Sequence, residues 1–274
     1  MNNEIPVVIL AGGLGTRLQQ ETEFKPKPMI EIAGYPILAH IISSYLLHGY
    51  ENFIVCGGYK IEAIISYFEN FAKKDSSFQV NYDGKGKVSS KIINNPNQNL
   101  TLPILRTPWN LQIVNTGQET TTAGRIKNVK QFVTTDYFHC TYGDGLSSVN
   151  PSDVERSHLK SQLLGTLTAV HPPSRFGEVE IEEDENISYV KSFREKQLSK
   201  SYINGGFFVF NTKVIDMINP DESLEEGLLT TLSEKQQLNA FLHNDFWQNM
   251  DTVREMNILN EISKRRDIPW LKVP

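Results

Sequence analysis

Val7–Met29, VVILAGGLGTRLQQETEFKPKPM, is a short apolar run that breaks into three glycines and then delivers Thr16, Arg17, Lys25 and Lys27. This order reads as a buried strand feeding a loop that lines an anion pocket with main chain. Gly12, Gly13 and Gly15 tolerate positive φ and let a ligand approach the backbone closely. Successive N–H groups then converge on phosphate oxygens while Arg17 and Lys27 add positive charge. A nucleoside triphosphate is the natural guest of such a loop. The spacing Gly12-Gly13-Leu14-Gly15-Thr16-Arg17 lacks the third glycine of the dinucleotide fingerprint GxGxxG and the Gly-Lys-Ser/Thr ending of a P-loop. The competing reading is a glycine-rich turn that merely joins a strand to a helix; the basic KPKP run directly behind it favours the anion pocket.

A chain of 274 residues buries a substantial core, and we read it as one α/β domain over residues 1–274. The formal net charge of −5 argues against a nucleic-acid partner, so the basic residues of the glycine loop are a local device for a small anion. Cys56 and Cys140 both belong to apolar runs. They suit buried reduced thiols rather than a disulfide framework or a metal cluster, the usage of a cytoplasmic protein. The chain enters a strand almost at once, without a charged region followed by an apolar stretch of signal length. No segment approaches about 18 uninterrupted apolar residues, so neither secretion nor membrane spanning is expected.

Outward from the glycine loop, strand-like and helix-like runs alternate. Predicted strands over Val7–Leu10 and Phe53–Val55 are each followed by an amphipathic helix, Pro36–His48 and Lys60–Phe71, with apolar residues at helical spacing. This alternation calls for a doubly wound sheet whose ligands sit beyond the C-terminal strand ends. Residues 74–106 break the pattern: polar, punctuated by glycine and proline, they read as an irregular excursion serving as a lid or an oligomer contact. Order returns with predicted strands at Leu111–Val114 and Phe138–Tyr142 around a helix over Thr120–Val129. Further strands are predicted around Leu164–His171, Gly177–Ile181 and Gly206–Phe210. Helices are predicted near Val214–Ile218 and Leu224–Lys235 and from about Thr252.

Tyr142-Gly143-Asp144-Gly145 sets an acidic side chain at the end of an apolar strand, flanked by glycines that leave room for a ligand and a metal. Asp144 is the first candidate Mg²⁺ ligand, with a turn aspartate as the alternative. Asp251 is the second; it stands just before a predicted helix, so an N-cap is its alternative role. Phe193-Arg194-Glu195-Lys196 and Tyr202-Ile203-Asn204-Gly205-Gly206-Phe207 supply candidates for an acceptor. Lys196 suits a phosphomonoester, or a solvated pair with Glu195. Asn204 beside its glycines suits sugar hydroxyls, or a hairpin turn. Ser174-Arg175-Phe176-Gly177 is a turn or a substrate loop. The six histidines are scattered and no Ser/His/Asp signature occurs, so nothing supports zinc chemistry or a covalent intermediate.

LAGGLGTR, KPKPM, TAGR at Thr122–Arg125, YGDG, PPSRFG, FREK, INGGFF and FWQNMDT follow one another in an order that resembles the nucleotide-sugar pyrophosphorylases, a family of sugar-phosphate nucleotidyltransferases, and within it the cytidylyltransferase branch. The resemblance covers most of the chain. It implies a Rossmann-like, doubly wound mixed sheet of the nucleotide-diphospho-sugar transferase type. It further implies CTP bound by Leu10, Ala11, Gly12, Gly13, Gly15, Thr16, Arg17 and Lys27, with Arg125 and Gly143 in the same pocket. Mg²⁺ falls to Asp144 and Asp251, and a sugar 1-phosphate to Lys196, Asn204 and Gly205, with Arg17, Lys27 and Asp144 carrying catalysis. The implied reaction yields a CDP-sugar and pyrophosphate, with glucose 1-phosphate the first choice of acceptor, in a homo-oligomer. The chain departs from the family pattern at Asp245, at Asn249 where proline is usual, and at Glu226-Gly227-Leu228. These positions lie in the half that meets the sugar, so a nucleotidyltransferase for a different phosphorylated acceptor is the alternative, and a nucleotide-sensing homologue without turnover the other.

Overall fold

The computed structural model describes residues 4–13, 15, 18, 22–23, 25–71, 77–82, 85, 88–94, 102, 104, 107–172, 177–184, 187–194 and 201–272. Among them, one sheet is built from β1 (Pro6–Leu10), β2 (Asn52–Gly57), β3 (Asn110–Asn115), β4 (Tyr137–Tyr142), β5 (Gly165–Val170), β6 (Ile203–Asn211) and β7 (Leu238–His243). The order across it is β7-β5-β6-β4-β1-β2-β3. The strands β3, β2, β1 and β4 run parallel. β6 is antiparallel to both its neighbours, and β7 pairs parallel with β5. This is the doubly wound mixed sheet expected from the sequence.

The helices that cover it are α1 (Ile37–Leu46), α2 (Ile61–Glu69), α3 (Thr122–Asn128), α4 (Pro151–Ser161) and α5 (Val253–Ser263), with shorter turns between. β1 is uninterruptedly apolar because it is buried on both faces, as central parallel strands are. Val7 and Ile9 pack into one cluster with Leu38 and Ile42 of α1 and Leu259 of α5. Val8 and Leu10 pack into the other with Ile126 of α3, Phe138 and Cys140 of β4, and Phe208 of β6. Cys56 and Cys140 are buried free thiols.

Register sets the working edge. Leu10 pairs with Cys56 on one side and with Tyr142 on the other, so β1, β2 and β4 end level and their following loops open on one edge. At the far end of the chain, the turn Pro269–Leu271 buries Trp270 against α1. The Trp270 Nε1–H donates to His40 Nδ1 at 3.2 Å, and His40 Nε2–H donates to the Ile32 carbonyl at 2.7 Å.

Several elements differ from the sequence-based expectation. The excursion over 74–106 is not wholly irregular, since Ser77–Tyr82 pairs antiparallel with Val88–Asn94. The strand expected at Gly177–Ile181 spans Glu178–Glu183 and leaves the sheet, pairing instead with Ser188–Arg194. The Leu224–Lys235 helix divides into a π-helical turn, Glu225–Leu229, and an α-helical turn, Thr230–Glu234. Helix α4 has no counterpart in the sequence-based expectation, although Asn150-Pro151 marks its start: the Asn150 side chain accepts from Ser152 N–H, with proline in the first turn. No described helix is long and apolar enough to cross a membrane.

Candidate active site

Lys27 stands in a 3-10 turn, Lys27–Met29, that opens behind Pro26. Prolines on both sides preset φ, and the turn closes with Met29 N–H donating to Pro26 O at 2.8 Å. The alternation of the KPKP run separates its two lysines: Lys25 is exposed and pairs with Glu31 at 3.0 Å, whereas Lys27 turns inward. Its Nζ donates to Asp144 Oδ2 at 2.7 Å and to Asp251 Oδ1 at 2.5 Å, joining residues 117 and 224 positions away. Burial pulls the ammonium pKa down, and the two carboxylates more than offset that, leaving it raised. One cation thus serves two carboxylates, which leaves the trio with one net negative charge.

Asp251 is not the helix cap. Thr252 holds that place, its Oγ1 accepting from Glu255 N–H at 3.3 Å while Glu255 Oε2 accepts from Thr252 N–H at 3.0 Å. The Asp251 side chain faces the site instead, and Asn249 Nδ2 donates to its Oδ2 at 2.5 Å. The usual proline at position 249 could not supply that bond.

Two cavities share the wall formed by Tyr142 and Asp144. The first, of ≈ 240 Å³, is lined by Leu10, Ala11, Gly12, Gly13 and Gly15 together with Lys27, Arg125 and Gly143. The second, of ≈ 380 Å³, is lined by Asn204 and Gly205 and also takes in Asp251, Trp247 and Glu225. Nine of the expected nucleotide-side and metal residues therefore come together around the first cavity and its border, as Leu10, Ala11, Gly12, Gly13, Gly15, Lys27, Arg125, Gly143 and Asp144. Thr16, Arg17 and Lys196 lie outside the described residues, as does the Pro173–Phe176 stretch.

The glycines act for different reasons. Only Gly15 of the three has positive φ, at 64°. A Cβ there would also meet Thr22 Cγ2 at 2.9 Å and Lys27 Cβ at 3.1 Å. Gly12 is needed for close approach: an added Cβ would lie 2.1 Å from Arg125 Nη1. Gly13 is exposed and a Cβ there would meet open space, so its main chain is open to a ligand. Gly143 is buried and its N–H donates to Leu10 O at 3.0 Å.

Arg125 is 3% exposed, and its guanidinium is committed to the protein. Nη1 donates to Gly57 O, Thr116 Oγ1 and Gly117 O, and Nη2 to Gly12 O and Gln118 O, at 2.6–3.2 Å. It ties together the loops that follow β1, β2 and β3. Burial lowers its pKa, and five acceptors still hold the guanidinium in place.

At the second cavity, the Asn204-Gly205-Gly206 run is no hairpin turn but the start of β6, where pairing with β5 shifts register between Leu167 and Ala169. Gly206 has φ 79°. Asn204 Oδ1 accepts from Gly206 N–H at 2.8 Å, and its Nδ2 donates to the Tyr142 hydroxyl at 3.3 Å. Trp247 Nε1–H donates to Gly205 O at 2.7 Å. The Tyr142 hydroxyl donates in turn to Glu225 Oε1. Burial, reinforced by Glu225, pushes the Tyr142 phenol pKa well up, so it stays a donor. The sequence-based expectation gives no role to Tyr142, Glu225, Trp247 or Thr122; Thr122, Tyr142 and Trp247 stand in the TAGR, YGDG and FWQNMDT motifs, whereas nothing local marks Glu225.

Among the described residues no cluster of three or more metal-binding side chains occurs. Asp144 and Asp251, converging on a single cation, are nevertheless a fitting donor set for a hard divalent ion. Mg²⁺ usually takes one or two carboxylates and completes its shell with phosphate oxygens and water.

Residues 6–256 match the model of the nucleotidyl transferase family. The chain is 41% identical over 271 residues to a glucose-1-phosphate cytidylyltransferase of Salmonella typhi, covering 96% of this chain and 97% of that one. It is 33% identical over 265 residues to a probable glucose-1-phosphate cytidylyltransferase of Bacillus subtilis, covering 96% and 98%. Among solved structures, HddC from Yersinia pseudotuberculosis superimposes with a TM-score of 0.64 at 24% identity, over 95% of this chain and 100% of that one. A UDP-glucose pyrophosphorylase complexed with UDP-glucose gives 0.65 at 16% identity, over 95% and 99%. These two likenesses concern the fold.

Proposed function

We propose, because this chain belongs to the nucleotidyl transferase family and resembles glucose-1-phosphate cytidylyltransferases along nearly its whole length, that it makes CDP-glucose and pyrophosphate from CTP and glucose 1-phosphate. The observation that carries the reading is Lys27, bonded to both Asp144 and Asp251 where two cavities meet. Such a junction suits a reaction between two phosphate-bearing partners, one in each cavity.

A phosphate oxygen of glucose 1-phosphate attacks the α-phosphorus of CTP in line. The new O–P bond forms as the bond from the α-phosphorus to the α–β bridging oxygen breaks, and pyrophosphate leaves with that electron pair. No protein nucleophile is needed, so the protein's task is to hold anions together and to neutralise the charge that builds on them. Lys27 and Arg17 act on the triphosphate, over the exposed backbone at Gly13. Asn204 and Gly205 seat the sugar, and Lys196 its phosphate. Asp144 and Asp251 would hold Mg²⁺, and the ion would supply positive charge to the phosphate oxygens. Arg125 contributes by fixing the loops around the first cavity.

The test is pyrophosphate release on incubation with Mg²⁺, each of the four nucleoside triphosphates and glucose 1-phosphate. Release with CTP that exceeds the other three supports the reading. Absence of release from CTP and glucose 1-phosphate overturns it.

A further inference from the structure

Glu225 opens the π-helical turn Glu225–Leu229, in which Leu229 N–H reaches back to Leu224 O at 2.9 Å. Such wide turns are uncommon and gather at functional sites. Here the turn carries an exposed carboxylate onto the wall of the ≈ 380 Å³ cavity, across from Asn204 and Trp247 in sequence but beside them in space. The carboxylate is oriented from two sides. Its Oε1 accepts from the Tyr142 hydroxyl, and its Oε2 from Thr122 Oγ1 at 3.3 Å, while that Oγ1 in turn accepts from Leu224 N–H at 2.7 Å. Each carboxylate oxygen retains capacity for another hydrogen bond. Among the described residues no ion pair is made by Glu225.

We propose that Glu225 is a specificity-determining residue for the acceptor, its carboxylate accepting hydrogen bonds from ring hydroxyls of the sugar bound in the second cavity; this rests on the sugar-phosphate reading above. A sugar ring brings neutral hydroxyl donors and no cation. The group that reads it best is an oriented acceptor, and a charged acceptor gives hydrogen bonds roughly twice as strong as a neutral one. Tyr142 and Thr122 keep the carboxylate from swinging away when the cavity is empty. The phosphate end of the acceptor is repelled by the same charge, which directs the ring to Glu225 and the phosphate to the Lys27 side.

The experiment compares kcat/KM for glucose 1-phosphate and its 2-, 3-, 4- and 6-deoxy analogues, with CTP and Mg²⁺, in wild type, Glu225→Gln and Glu225→Ala. Wild type should lose about tenfold to a hundredfold with at least one analogue, the range for a hydrogen bond to a charged group. Glu225→Ala should suffer a similar loss with glucose 1-phosphate yet discriminate against that same analogue by less than about threefold, with Glu225→Gln between. The glutamine variant keeps an acceptor for Tyr142 and so tests the idea even if the alanine variant folds poorly. Equal losses across all five substrates in both variants, or no deoxy penalty in wild type, would overturn the proposal and leave the cytidylyltransferase reading standing. No pyrophosphate from wild type with glucose 1-phosphate and CTP would overturn that reading, and this inference with it.

Discussion

A lysine shared by two partly buried carboxylates is the charge pivot of the site, and its removal leaves Asp144 and Asp251 facing each other without a counter-ion. Lys27→Ala and Asp144→Asn should each lower pyrophosphate release by about a hundredfold or more, since one well-placed charge contributes about 3 kcal/mol to such a transition state. Far-UV circular dichroism should remain that of the wild type; turnover like the wild type's from either variant would refute the assignment. Arg125→Lys tests a different role. A lysine cannot fork, so the bonds to Thr116 Oγ1, Gly117 O and Gln118 O cannot all be kept, whereas Gly12 O and Gly57 O retain donors in Tyr59 N–H and Thr116 N–H. We expect a loss of about 1–3 kcal/mol in urea unfolding, on the scale of lost hydrogen bonds to a charged group. A midpoint unchanged from wild type would show that Arg125 is not the clamp. At this scale the glycine loop was legible as the lining of a cavity at a strand end, but the work of its glycines was not. The reason for Gly12 is a guanidinium 113 positions away, which no local pattern reveals.

At the scale of elements, α1 and α2 were legible because their apolar spacing is set by the helix itself, and the central parallel strands β1 and β2 because burial on both faces demands continuous apolar runs. The π-helical turn was not, because the apolar pattern of Leu224–Lys235 serves an α-helix equally well. The docking of α1 against the C-terminal turn has a pH signature. His40 is buried and neutral, accepting a hydrogen bond from Trp270 Nε1–H and donating one to Ile32 O; burial lowers its pKa to about 4. His158 is lowered to about 4 as well, by burial and then by His139. The unfolded chain protonates these side chains near the ordinary value of about 6.5, so between that pH and about 4 it binds more protons than the native protein. Stability is therefore fully present above about pH 7 and falls as pH drops through this window, by about 2 kcal/mol for His40 alone at pH 5. Urea midpoints measured from pH 7.5 down to 5 should decrease steadily; a flat profile would contradict the buried neutral state.

Across the whole molecule, one reversed strand brings the two halves of the site together. β6 runs antiparallel to β4, pairing Phe207 with Thr141, so the beginning of β6 lies beside the end of β4 and Asn204 comes within reach of Tyr142. A parallel strand would have carried Asn204 to the opposite edge. The pair Glu178–Glu183 and Ser188–Arg194, outside the sheet, leaves two apolar cross-strand contacts exposed, Val179 with Phe193 and Ile181 with Val190. With the multi-subunit assembly that the family resemblance implies, sedimentation velocity should give a species several times the single-chain mass; a monomer at micromolar concentration would overturn that expectation. The sequence by itself determined the alternating α/β architecture, the glycine loop at a strand end and the placing of Asp144 after a strand, because these follow from propensity, burial and chemistry within a few neighbouring residues. Only the tertiary structure decided that Lys27 meets both aspartates, that Thr252 rather than Asp251 caps α5, that Arg125 binds loops together and that Glu225 shares a wall with Asn204. Those contacts join residues far apart in the chain, and their existence depends on strand order, direction and register, which side-chain patterning alone leaves open.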